Sequence, residues 1–168
     1  MHQSIINLTT IDKQINDKIS GEEKIKKVNI VAVSKTFKII DIEPMINFGH
    51  THFGENKVQE ALDKWSDIKV NNKNIKLHLI GKLQTNKVKF VLPLFDYIHS
   101  LDSIKLADKI SNEQSKKNFR PKIFVQVNIA NEPQKNGIEV KSLETFLKSC
   151  QENCDLDILG LMCIPPID

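Results

Sequence analysis

The sequence predicts an α/β fold of the (β/α)8 TIM-barrel type, truncated to about six βα units and forming a single domain over residues 1–168. Three observations carry this. Six short runs of β-branched and other apolar residues alternate with stretches of helical apolar spacing, the pattern of parallel βα units. The glycine signatures of open nucleotide-binding sheets do not occur: there is no Gly-x-Gly-x-x-Gly, and Gly81-Lys82 lacks the upstream glycine of a Walker loop. The 168 residues also stop in a loop after the sixth strand, whereas a barrel of this type usually runs to about 250 residues. An open doubly wound sheet is the competing architecture. An ending without a closing helix favours the barrel, with strands seven and eight absent.

Each element follows from its own pattern. Residues 4–20 carry Ile5, Leu8, Ile11, Ile15 and Ile19 at helical spacing, and Gly21 can end the helix. Residues 22–27 form a charged, solvated link into the run 28–35, whose Val, Ile and Ala suit a strand buried on both faces. A short helix over Ile39, Ile40, Ile42, Met45 and Ile46 closes at Gly49, and Pro44 is tolerable only in its first turn. Residues 50–54 are a second strand, followed by a helix striped with Val58, Ala61, Leu62 and Trp65. A third strand over 75–80 turns at Gly81, a short helix over 85–91 breaks before Pro93, and a fourth strand covers 95–99. A helix over 103–117 buries Ile104, Leu106, Ala107 and Ile110. In the strand 122–129, Ile123, Val125, Val127 and Ile129 take one face and Phe124, Gln126 and Asn128 the other. A polar loop (131–137), a helix over 140–151 with Leu143, Phe146 and Leu147 inward, and a strand over 156–162 complete the chain, which ends in Pro165-Pro166-Ile167-Asp168.

Composition narrows the function. Hydrophobic content of 40% with 27% charged residues is that of a folded soluble protein. A net charge of +3, spread along the chain and carried by lysine with Arg120 as the sole arginine, argues against a nucleic-acid surface. The start Met1-His2-Gln3-Ser4 lacks the features of a signal peptide, and no apolar run approaches membrane-spanning length. Three sparse cysteines, Cys150, Cys154 and Cys163, fit a reducing compartment, so the expected location is cytoplasmic. No metal site is expected: Cys150 and Cys154 have no partnering histidine, and His50 and His52, like His78 and His99, read as structural or solvated.

The chemistry gathers at strand ends. Lys35 closes the first strand abruptly. At the mouth of an α/β fold a lysine is partly desolvated, and burial favours the neutral amine that attacks aldehydes to form a Schiff base. The plain alternative is a lysine that caps a strand and reaches water. Asn56, Ile80, Gln126 with Asn128, and Met162 stand at the ends of other strands, so one amine, a few amides and apolar walls suit a flat heteroaromatic ligand. Asn56 could instead cap its helix, Asn128 shape its loop, and Met162 fill core. No Gly-x-Ser-x-Gly elbow or Cys–His pair supports a hydrolase.

A series of blocks in order carries a family likeness. They are Val33-Ser34-Lys35-Thr36, Phe53-Gly54-Glu55-Asn56 with Val58-Gln59-Glu60, His78-Leu79-Ile80-Gly81-Lys82-Leu83-Gln84-Thr85-Asn86-Lys87, His99-Ser100-Leu101-Asp102-Ser103, Gln126-Val127-Asn128-Ile129, Lys135-Asn136-Gly137 and Gly160-Leu161-Met162. Together they closely resemble the pyridoxal-phosphate homeostasis proteins, whose fold is that of the alanine racemase N-terminal barrel. The resemblance implies that Lys35 holds pyridoxal 5′-phosphate as a Schiff base, that Asn56 lies beside the cofactor, and that Ile80 and Met162 belong to the pocket wall. Lys135 looks like a family lysine near the mouth that need not bind covalently. Phe37 stands where many relatives carry another lysine. The family continues into a Ser/Gly-rich segment and an Arg-Ile-Gly segment that cradle the phosphate; neither is within these 168 residues.

The resemblance implies a non-enzymatic carrier or buffer of the cofactor, with apo pyridoxal-phosphate enzymes as partners and neither nucleic acid nor membrane. A racemase or decarboxylase using the same lysine is the enzymatic alternative, and it requires a second base opposite Lys35. A fragment impaired in binding is the third reading.

Overall fold

The computed structural model describes residues 1–21, 28–130, 132 and 134–165; the charged link over 22–27 and the end of the chain over 166–168 lie outside the described residues. The element order is α1 (Gln3–Ile19), β1 (Ala32–Val33), α2 (Ile39–Asn47), β2 (His52–Glu55), α3 (Val58–Asn71), β3 (Lys76–Leu79), α4 (Val88–Val91), β4 (Tyr97–Leu101), α5 (Ile104–Lys117), β5 (Lys122–Asn128), β6 (Ile138–Glu139), α6 (Leu143–Asn153) and β7 (Asp157–Met162). Single 3₁₀ turns, Thr85–Lys87 and Val140–Ser142, lead into α4 and α6.

All strands pair in parallel. The sheet runs β1-β2-β3-β4-β5, with β7 along β5 and the two-residue β6 on the carboxyl end of β5. Register partners in a parallel sheet point to the same side. Ala32, Phe53, Leu77, Leu79, Ile98, Ile123 and Val125 therefore share one face, and α3, α5 and α6 cover it with Ala61, Trp65, Leu106, Ala107, Ile110 and Phe146. Each such aliphatic or aromatic side chain removed from water contributes about 1.5–3 kcal/mol, so this layer decides the fold. The opposite face carries Val33, Gly54, His78, Tyr97, Phe124 and Gly160. In a closed barrel it is the interior.

Several expectations are corrected. β1 covers only Ala32–Val33 and is not buried on both faces: Val33 is 46% exposed, because among the described residues β1 pairs with β2 alone. Pro44 sits well inside α2, not in its first turn; having no N–H, it cannot satisfy the carbonyl of Ile40, an exposed residue. β4 begins two residues later than predicted, because Phe95 completes a turn, donating its N–H to Val91, while Asp96 caps β3 through the Leu77 N–H. β6 was not anticipated; two residues are too short for a period to show. α1 keeps its stripe half-covered and buries no residue fully.

Candidate functional site

Lys35 lies in the turn that leaves β1. The Phe37 N–H donates to the Ser34 carbonyl at 3.2 Å, which makes residues 34–37 a β-turn with Lys35 second and Thr36 third. Thr36 has φ +68° while Lys35 is not in the positive-φ region, the signature of a type II turn. That third position favours glycine, and a β-branched residue there stores about 1–3 kcal/mol of strain. Lys35 is exposed. The desolvation expected of it is absent from this chain, because no strand among the described residues lies on the other side of β1.

The turn is held from below. Ser34 is buried, and its hydroxyl donates to Glu55 Oε1 at 2.8 Å. The same fully buried oxygen accepts from Lys64 Nζ and Trp65 Nε1, each at 2.9 Å, while Glu55 Oε2 has no hydrogen-bond partner among the described residues. Lys64 Nζ also donates to the Ser34 carbonyl at 2.8 Å and pairs with Glu60 Oε1 at 3.1 Å, which accepts the Thr36 N–H at 2.6 Å. That backbone hydrogen bond, with the Lys64 ammonium second, holds the Glu60 carboxyl below its usual range.

Beside Lys35 the interior face is apolar. A side chain at Gly54 would meet Val31, Ile80 and Val33, so these three converge where β1, β2 and β3 meet. Asn56 follows β2 and is half-buried; it does not cap α3, whose N-cap is Lys57. Gly81 presses on it: a Cβ there would lie 2.2 Å from the Asn56 carbonyl oxygen. Further round, Gln126 and Met162 are register partners on β5 and β7, and Met162 is half-buried. Asn128, the last residue of β5, shapes the loop that follows: its amide donates to the Glu132 carbonyl and accepts the Glu132 N–H. Gln126 donates to the Asn136 carbonyl, Lys82 to the Asn136 side chain, and Lys135 pairs with Glu132. Lys35, Asn56, Ile80 and Met162 thus all lie at the carboxyl edge of the sheet. A cleft lined by Leu8, Asp12, Ile30, Phe48 and His50 opens at the opposite end of the strands.

The charged cluster under the turn went unnoticed in the sequence, although Glu60 and Lys64 stand at the i,i+4 spacing of a helical ion pair. So did a ladder of histidines across the interior: His52 Nδ1 to His78 Nε2 at 2.9 Å and His78 Nδ1 to His99 Nε2 at 2.8 Å. Their nitrogens bond to one another, and no group of three or more metal-ligating side chains occurs among the described residues. Cys150 and Cys154 are free buried thiols; burial, then the hydrogen bond to Asp108, pushes Cys154 up to about 12. No helix among the described residues is long and apolar enough to cross a membrane.

Residues 8–167 match the family described as "Alanine racemase, N-terminal domain". The chain is 36% identical to the pyridoxal phosphate homeostasis protein of Buchnera aphidicola across its full length and 73% of that relative. It is 37% identical to the protein of that name from Haemophilus influenzae, over 95% of this chain and 68% of the relative. Among solved structures it resembles PipY of Synechococcus elongatus, determined without pyridoxal phosphate (TM-score 0.78, 32% identity, 94% of this chain and 72% of PipY). The likeness to PipY with pyridoxal phosphate bound is nearly the same, with TM-score 0.76, 31% identity and the same shares covered. With the family match spanning residues 8–167 of this chain and relatives this similar over most of their length, the chain belongs to the alanine racemase N-terminal family of TIM-barrel-like folds, among its pyridoxal phosphate homeostasis proteins.

Proposed function

We propose that this chain is a pyridoxal 5′-phosphate-binding protein of intracellular cofactor homeostasis, and that Lys35 is the covalent anchor. The cofactor supplies an aldehyde, to which a lysine amine can attach. The donor set fits: an accessible amine on a fixed turn at the carboxyl end of β1, an apolar wall from Ile80 and Val33, and the amide residue Asn56 on the adjoining loop. Ile80 and Met162 would supply apolar wall to the bound cofactor, and Asn56 a polar contact. The observation that carries the reading is the placement of Lys35 on that turn, next to the apolar convergence over Gly54.

The role is read as carriage and release, not turnover. Relatives bear the name of homeostasis proteins, and the interior residues beside Lys35 (Val31, Val33, Gly54 and Ile80) carry no second base for racemisation. Apo enzymes that use the cofactor are the recipients, in the cytoplasm.

The test is a titration with pyridoxal 5′-phosphate. Wild type gains a visible absorption band, Lys35→Ala does not, and after borohydride reduction peptide mass spectrometry finds the adduct on Lys35. A colourless wild type, or an adduct on another lysine, defeats the assignment.

A further inference from the structure

We infer that Glu60 and Lys64 are positioning residues for Lys35: between them they fix the two backbone torsions that decide where its amine points. The inference rests on the reading of Lys35 as the anchor and adds the device that aims it.

The argument is geometric. Peptide units are rigid planes, so the direction in which Lys35 leaves the backbone depends on the planes before and after it, related only by its φ and ψ. The plane before it carries the Ser34 carbonyl, which accepts from Lys64 Nζ at 2.8 Å. The plane after it carries the Thr36 N–H, which donates to Glu60 Oε1 at 2.6 Å. Lys64 and Glu60 are joined to each other at 3.1 Å, one turn apart on α3. One ion pair therefore grips both planes flanking a single residue. It does not float: Lys64 also reaches Glu55 Oε1 at 2.9 Å, and Glu55 is tied to the fully buried Trp65.

The turn needs such a clamp. β1 is two residues long and ends at Val33, and besides the clamp the planes around Lys35 are held only by the turn's own bond from the Phe37 N–H to the Ser34 carbonyl at 3.2 Å, on the plane before Lys35, among the bonds of the described residues. Thr36 sits at φ +68°, a conformation that a β-branched residue leaves unless its surroundings enforce it. The bond from Thr36 to Glu60 is charge-assisted and short, the kind able to enforce it. A pair that only fastened α3 to the sheet would have no need to engage backbone on both sides of Lys35.

The experiment compares wild type, Glu60→Ala and Glu60→Gln. Glu60 is 28% exposed at its side chain, so its truncation opens no core cavity. Amide exchange by NMR should accelerate at Thr36 about tenfold or more in Glu60→Ala, the loss expected for a charge-assisted bond, and stay near wild type in Glu60→Gln, which keeps the acceptor oxygen. Amides of β2 and β3 and the fluorescence of Trp65 should not change. In parallel, Glu60→Ala should weaken capture of pyridoxal 5′-phosphate by about tenfold, with Glu60→Gln recovering most of it. Wild-type exchange at Thr36 in Glu60→Ala, or wild-type capture by that variant, overturns the clamp. A wild-type chain that captures no cofactor overturns only the function proposed above, and the exchange rates then decide the clamp alone.

Discussion

Gly81 shows how tightly single residues set this site. A Cβ there would lie 2.2 Å from the oxygen, 2.8 Å from the Cα and 2.9 Å from the carbonyl carbon of Asn56, all backbone atoms that cannot rotate away. Gly81→Ala should therefore drive the loops after β2 and β3 apart. A urea titration should show a loss of about 1–3 kcal/mol, as for overpacking elsewhere, together with weaker cofactor capture as Asn56 moves away from the loop after β3. Wild-type stability and capture in this variant would mean that the contact is unimportant. At this scale much of the site was legible: a lysine ending an apolar run, and Asn56, Ile80 and Met162 at the ends of other strands. The turn was not, because threonine gives no sign of a left-handed position that usually selects glycine. Nor was the clamp: Glu60 and Lys64 stand at ordinary i,i+4 helical spacing, and only tertiary structure brings them under Thr36, 24 positions from Glu60 in sequence.

Among the elements, β2, β3 and β4 are bound across the interior by more than their backbone. His78 shares both ring nitrogens, with His52 and His99, stacks on Tyr97 at 4.2 Å between centroids, and is buried; His99 stacks on Phe124 at 4.6 Å. Burial first, then the neighbouring imidazoles, lowers His78 to about 3, and burial lowers His99 to about 4. In the unfolded chain both titrate near about 6.5. Between those values the unfolded state takes up protons that the native state refuses, so stability is full above about pH 6.5 and falls as pH drops toward 4. Urea titrations across this range should show a slope of about two protons, and His99→Gln should remove about one. Stability that stays flat from pH 7 to 4.5 would show that the ladder does not remain neutral. In the sequence these histidines read as structural or solvated; that they meet could not be seen, since register between strands is not written in any one of them. For the same reason the six principal strands were found in order while their ends shifted, by four residues at the start of β1 and by no more than two elsewhere.

At the scale of the whole molecule, the alternation of strands and helices indicated parallel βα units, and the lack of nucleotide-binding glycine signatures weighed against an open sheet. What it could not reveal is which strands lack a neighbour. Burial of β1 on both faces presumed a strand beyond it, and among the described residues β1 pairs only with β2 and β7 only with β5. Val33 (46% exposed), Leu159 (49%) and Leu161 (53%) lie on those two strands, so apolar side chains and unpaired backbone coincide at the outer edges. Such an edge is a template for pairing with another chain. The 168-residue chain should therefore self-associate as its concentration rises, and Leu161→Lys should suppress this by placing a charge on the β7 edge. Because Leu161 is already half in water, the urea midpoint should move by no more than about 0.5 kcal/mol in stability. Sedimentation velocity over a concentration series reads the outcome. A wild type that sediments as a monomer throughout, or a variant that associates as strongly as wild type, would show that neither β7 nor its exposed leucine drives pairing, and that the sheet edge is protected by features other than charge.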